Sequence, residues 1–306
     1  MSTIVELVDA QAGCRPGSPA LLAPGRRPAT YADLAAQLRR CAAALREAGL
    51  SGDDGVAVAP PDGPEAATAF LSVAACASCI ALPARSTTQE IRAMVSDAGV
   101  AALIAPPAIA RAFRQAADAL GLALFELHAF PDRPAGCFEL VQLAAAPATR
   151  PAHARWPGGP PGALDAAGGR SMAALLQLTP EDRCMNVMAP VHGARLADEL
   201  LATIVAGGST VCVSEMQDES FFDWVADFQP TWYTATPAVH RAILGRGREY
   251  RRRAPAHRFR FVHSAPAGLS PETARELEDL LDAPLIEPGD RGGDPGNRAP
   301  RGQCFL

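Results

Sequence analysis

One stretch limits what this chain can fold into more than any other: Leu178 to Pro237. It contains a short apolar run, a His192-Gly193 turn, an apolar helix, Gly207-Gly208, a second apolar run, an amphipathic helix and a third run ending at Thr236-Pro237. Strand, helix, strand, helix, strand is the order that builds a parallel sheet with crossover helices.

The same alternation precedes it. Residues 1–30 read as a lead-in with turns at Gly17, Pro19, Pro24 and Gly25. Thr30 is placed to cap a helix whose third residue is Asp33, and Leu34, Leu38, Cys41 and Leu45 give it one apolar stripe, with Gly49 ending it. Strands are expected at Gly55–Ala59, Cys79–Leu82, Val100–Ala105 and Ala123–Leu127, with helices at Pro64–Cys76, Thr88–Ala98 and Ile109–Leu120 between them. Residues 129–169 lose periodicity to proline, glycine and alanine and read as a linker or surface loop. The pattern resumes at Arg170, with a strand at Arg258–His263, a helix at Pro271–Leu281 capped by Ser270, and a short strand at Pro284–Glu287. The last nineteen residues, Pro288–Leu306, carry no pattern and are expected to be disordered. The expected organisation is a first α/β subdomain at 1–128, a linker at 129–169, a second α/β subdomain at 170–287 and a tail at 288–306.

Charge and cysteine usage exclude several functions. A net charge of −5 gives no electrostatic footprint for nucleic acid. No apolar run reaches membrane-spanning length, and the first residues do not read as a secretory signal, so a cytoplasmic, reduced protein is expected. Cys76 and Cys79 form a C-x-x-C inside an apolar helix-to-strand run with no second ligand pair at zinc spacing, so buried structural thiols are expected rather than a metal or redox site. All 28 basic side chains are arginine, and a guanidinium cannot act as a compact, deprotonatable amine. Any step that needs a catalytic lysine has none within these residues.

Several segments resemble one family in the right order. Thr179-Pro180-Glu181-Asp182-Arg183, then Asn186-Val187-Met188 with Pro190 and His192-Gly193, then Ala206-Gly207-Gly208-Ser209 are similar to the adenylate-forming acyl-CoA synthetases, the AMP-dependent synthetases/ligases. Gln229 to Pro237 is similar to the segment that follows in that family, and the Tyr31 helix with Ala48-Gly49-Leu50 is similar to its opening helix. Ala81-Leu82-Pro83-Ala84 resembles its Pro-Leu-Asn-Pro with the last pair altered. The oxalate-CoA ligase-like branch is the most similar. The resemblance runs over residues 28–287 and implies two adjacent parallel-sheet subdomains, without the family's barrel or its C-terminal mobile domain.

The resemblance implies an activity: ATP-dependent ligation of a small carboxylic acid to coenzyme A through an acyl-adenylate, with magnesium and ATP as cofactors. Phosphate charge then needs backbone N–H groups and cations, magnesium needs a carboxylate, and the reacting carboxyl needs a fixed cation. Where the family has a Ser/Thr/Gly-rich loop ending in Pro-Lys-Gly, residues 155–162 keep Gly158, Gly159 and Gly162 but neither hydroxyls nor lysine. Three prolines there also remove N–H donors, so this is a degenerate phosphate loop or a plain Gly/Pro linker. Where Tyr-Gly-Met-Thr-Glu is expected after Glu287, the chain has Pro288-Gly289-Asp290-Arg291-Gly292-Gly293, and Asp290 reads as a solvated carboxylate. Codons for Gly289 to Gly293 read one base forward are compatible with Gly-Thr-Glu-Ala-Ala; an open, family-like shifted frame in the nucleotide sequence is the test of that frameshift reading.

Pocket positions carry over residue by residue. His192 and Gly193 match the turn lining the acyl side, or else hold a loop histidine with a structural bond. Thr236 and Pro237 match the loop beside the acyl group, or else cap the next helix. Ser264, Ala265 and Pro266 match a small-residue turn against adenine and acyl group, which a tight turn alone also explains. Glu287 precedes the altered acidic motif. The expectation is an inactive relative, with a non-catalytic acyl- or adenylate-binding protein and a truncated gene product as the other readings, and with a small carboxylate or acyl-adenylate as the ligand.

Overall fold

The computed structural model describes residues 3–52, 54–61, 63–96, 99–145, 166–187, 193–213, 220–247, 257, 259–264 and 269–287. Its two sheets follow from where short apolar runs can pair. A five-stranded sheet has the order β4-β3-β5-β6-β7 and a seven-stranded sheet the order β12-β11-β10-β8-β9-β1-β2. Both are parallel except for one antiparallel edge pair each, β6 with β7 and β1 with β2.

The five-stranded sheet is made of β3 (Gly55–Val58), β4 (Ser78–Ala81), β5 (Val100–Ala105), β6 (Ala123–Ala129) and β7 (Phe138–Ala144). Helices α2 (Tyr31–Glu47), α3 (Pro64–Ala74), α4 (Thr88–Ser96) and α5 (Ala110–Leu120) accompany it. Strand β5 is buried along its whole length, as a central parallel strand with helices on both faces must be. The cap of α2 is the one its sequence predicts: Thr30 and Asp33 bond each other's backbone N–H in a capping box. Gly121, left-handed at φ 64°, ends α5 without the Cβ penalty another residue carries.

The seven-stranded sheet is made of β8 (Arg183–Asn186), β9 (Ser209–Cys212), β10 (Trp232–Ala235), β11 (Phe261–Ser264) and β12 (Leu285–Ile286), joined by β1 (Pro19–Leu22) and β2 (Ala29–Thr30). Its helices are α6 (Ala166–Leu175), α7 (Gly193–Ala206), α8 (Phe221–Phe228), α9 (Pro237–Gly245) and α10 (Pro271–Leu281). Side chains alternate across its strands: Tyr233 and Val262 join the apolar cluster with α8, α9 and α10, while Trp232 and Phe261 stack at 5.1 Å on the α6 side.

Three expectations are corrected. The lead-in of residues 1–30 holds helix α1 (Ile4–Cys14), whose Thr3–Glu6 capping box is a sequence signature in its own right. Pro19 opens strand β1 rather than a turn, a position where its missing N–H is tolerated. Leu21 of β1 pairs with Thr210 of β9, which places this strand in the larger sheet. The third correction is in the expected linker 129–169, which carries β7 and the start of α6. Gly169 in α6 is required by packing: a Cβ there would lie 2.8 Å from Leu201 Cβ on α7. Residues 146–165 and 288–306, with Gly158, Gly159, Gly162 and Asp290, lie outside the described residues.

The halves share a core in which Val8, Leu21, Tyr31, Leu38, Leu71 and Leu201 pack together. A buried ion pair, Arg26 to Glu65 at 2.9 Å, ties the β1–β2 hairpin to the first turn of α3. The N-terminal edge of the larger sheet is stitched by side chains. Asp182 Oδ2 accepts from the Thr179 N–H at 2.8 Å and meets Arg260 at 3.0 Å, and its Oδ1 accepts from the Thr231 hydroxyl at 2.7 Å. Arg183 donates to the Phe228 carbonyl and the Ser209 hydroxyl, and Arg260 to the Leu176 and Gln177 carbonyls.

Cys76 and Cys79 are free and part-buried rather than fully buried; desolvation pushes the Cys76 thiol up to about 11 and Cys79 further up. Among the described residues no helix is long and apolar enough to cross a membrane.

Candidate functional site

Open parallel sheets bind ligands outside the carboxyl ends of their strands, because the loops there are free to diverge. In the larger sheet those ends are level. Thr234 pairs with Asn186 on one side and His263 on the other, Ala235 pairs with Ser264, and His263 pairs with Ile286. Four chain exits therefore stand side by side in the order β12, β11, β10, β8. Crossover helix α7 runs from β8 to β9, two parallel strands, so its first residue, Gly193, lies at this same edge.

The structure brings Gly193, Thr236, Pro237, Ser264 and Glu287 to this edge. Thr236 follows β10 and holds the N-cap position of α9 in an extended conformation, yet its side chain makes no capping bond; Pro237 is the first helical residue. Ser264, the last residue of β11, is fully buried. Glu287 is half-buried, and its Oε1 accepts the Leu269 N–H at 3.0 Å, a staple that closes the chain leaving Ser264 back onto β12. His192, Ala265 and Pro266 lie outside the described residues.

Beneath the edge is a buried polar row that sequence reasoning missed. Glu199 on α7 is 2% exposed and His263 on β11 is 3% exposed. Glu199 Oε1 accepts from the Thr234 hydroxyl at 2.7 Å and meets His263 Nδ1 at 3.0 Å; the Thr234 oxygen lies 3.2 Å from the same Nδ1. Glu199 Oε2 is sealed from solvent without a hydrogen-bond partner among the described residues. The signal was present: a carboxylate directly before the largely apolar run Leu200 to Ala206 of a helix that must face a sheet. On the opposite face, His240 of α9 is buried with Nδ1 3.0 Å from the Tyr233 hydroxyl. Burial, and next the neighbouring His263, lower its pKa to about 4, so this imidazole is neutral at neutral pH.

The edge offers small side chains, Ala235 and Ser264, and hydrogen-bonding groups rather than a metal cage. Among the described residues no three His, Cys, Asp or Glu side chains are grouped to hold an ion. Glu287, the carboxylate expected beside the altered acidic motif, is committed to a backbone N–H. These residues alone do not fit magnesium.

Comparisons with known proteins agree with this fold. Residues 8–149 and 164–288 match the family model described as AMP-binding enzyme. A probable CoA ligase of Humulus lupulus is 26% identical over 292 residues, covering 88% of this chain and 55% of the relative. An oxalate–CoA ligase of Arabidopsis thaliana is 28% identical over 120 residues, covering 39% of this chain and 23% of the relative. The ATP-bound structure of MatB from Rhodopseudomonas palustris superposes with a TM-score of 0.72 at 18% identity, over 94% of this chain and 59% of that one, a likeness of fold. The chain thus spans little more than half the length of the first of these relatives.

Proposed function

The chain belongs to the AMP-binding enzyme family, and from that premise we propose that the carboxyl edge of its larger sheet binds an acyl-adenylate or its parts, without completing ligation by these 306 residues alone. The observation that carries the proposal is the convergence of Gly193, Thr236, Pro237, Ser264 and Glu287, each matched to the family by sequence, on one level row of strand ends. His192, Ala265 and Pro266 adjoin these residues in the chain and belong to the same proposed pocket.

The ancestral reaction is ATP-dependent ligation of a small carboxylic acid to coenzyme A. Turnover is not assigned to these residues because the electrostatic parts are missing from them. Residues 155–162 offer Gly158, Gly159 and Gly162 but no hydroxyl and no lysine, and all basic side chains are arginine. Losing one preorganised charge-stabilising group costs about 3 kcal/mol of transition-state stabilisation, and losing several makes the rate negligible. The name of the Arabidopsis relative suggests a small acid as the acyl partner.

Titration calorimetry with AMP, with magnesium-ATP and with acetyl-sulfamoyl-adenosine, an unreactive acyl-adenylate mimic, tests the proposal. Binding of the mimic with no pyrophosphate release is the expected result. Absence of binding overturns the pocket and favours a remnant with no ligand; pyrophosphate release above background overturns the inactivity.

A further inference from the structure

We propose that Glu199, Thr234 and His263 form a positioning clamp that sets the acyl side of the site. The inference rests on the binding reading above. No one of the three needs to touch the ligand. Each is one or two residues, or under two helical turns, from a segment that borders it.

The geometry is specific. Glu199 lies six residues after Gly193, about 9 Å down the helix axis at roughly 1.5 Å per residue. Thr234 is two residues before Thr236, and His263 is the residue before Ser264. The single oxygen Glu199 Oε1 meets both Thr234 at 2.7 Å and His263 at 3.0 Å, so α7, β10 and β11 are joined at one point just below the edge. Side chains alternate along a strand, so Thr234 and His263 face α7 while Ala235 and Ser264 face the other way. The clamp therefore fixes the backbone carrying Ala235 and Ser264 without occupying their face.

Stability does not explain such a cluster. Removing a carboxylate and an imidazole from water is costly, and an apolar trio of similar volume would pack as well or better. The unpartnered Glu199 Oε2 adds to the cost. Hydrogen bonds supply what apolar contact does not, a directional lock. Apolar surfaces let a helix slide or turn on a sheet by a fraction of a residue; an oxygen held by donors from two strands does not.

The test compares AMP with acetyl-sulfamoyl-adenosine by calorimetry for the wild type, Thr234→Val, Glu199→Leu and Glu199→Gln. Thr234→Val and Glu199→Leu are expected to weaken the mimic about tenfold more than AMP, a difference of about 1.4 kcal/mol. Glu199→Gln keeps the accepting oxygen and is expected to retain the wild-type ratio. Equal weakening of both probes, or no change in either, overturns the clamp and leaves a purely structural cluster. If Glu199→Leu does not fold, the near-isosteric Thr234→Val decides alone. A wild-type chain that binds neither probe defeats the binding reading first, and the clamp with it, before any variant is compared.

Discussion

The two ends of the seven-stranded sheet are built on different terms. At the amino end, Asp182 gathers Thr179, Thr231 and Arg260, while Arg183 and Arg260 satisfy carbonyls of the adjoining turns. At the carboxyl end, strands stop level with one another, Thr236 holds a cap position without capping, and Glu199 keeps one oxygen unpartnered among the described residues. The Thr179–Arg183 segment, among those most similar to the family, lies at the first end and is scaffold. The expected chemistry lies at the second. Segments similar to the family therefore lie at both edges, packed as scaffold at the first and left as open strand ends at the second.

The strongest way to break this contrast is Asp182→Ala. It removes three accepted hydrogen bonds and the ion pair to the part-exposed Arg260, and is expected to cost about 3 kcal/mol in urea unfolding. A loss below about 1 kcal/mol would mean the amino edge is not a scaffold. Acid acts next, on His240. Its folded pKa of about 4 lies below the ordinary 6.5, so the unfolded chain takes up the proton first. The stability it contributes is complete above pH 6.5 and is lost as pH falls toward 4. Between pH 7 and pH 4.5 the wild type should lose about 2 kcal/mol more than His240→Gln does.

Gly208→Ala should cost about 2 kcal/mol, since its Cβ would meet the Asp182 carbonyl oxygen at 2.5 Å, a backbone atom that cannot yield. The smallest test is the sharpest. Ser270 caps α10 through the Thr273 N–H, so Ser270→Ala should cost about 1 kcal/mol. Thr236 makes no such bond, so Thr236→Ala should cost less than about 0.5 kcal/mol by thermal unfolding. Equal costs would make Thr236 an ordinary cap and remove it from the site.

Much of the fold was legible because most elements carry local signals. Thr30 with Asp33, Pro64, Gly121 and Ser270 with Pro271 mark helix ends by their own chemistry, and β3, β5 and β10 are short, mostly apolar runs of strand length. What failed was non-local or masked by composition. Nothing near Leu21 says that its partner is Thr210. In α6, Gly168-Gly169 reads as flexible linker, whereas Gly169 is small because Leu201 leaves no room. Strand β7 does alternate, with Phe138 and Leu140 turned inward and Glu139 and Val141 outward, but it lies in a proline- and glycine-rich stretch. The site was legible as motif positions only. The Glu199–Thr234–His263 row was not, because its three members belong to three segments that only tertiary structure brings together.

The pairing of β1 with β9 also sets a timetable. Leu21 leaves the ribosome 189 residues before Thr210, the residue it pairs with. At roughly 5–20 residues per second, the amino-terminal hairpin waits about 10–40 s for the strand that covers its inner edge. During that interval Ala20, Leu21 and Leu22, all buried in the finished protein, have no native neighbour strand on that side. That apolar stretch therefore stays without its native cover for as long as the synthesis of those 189 residues takes.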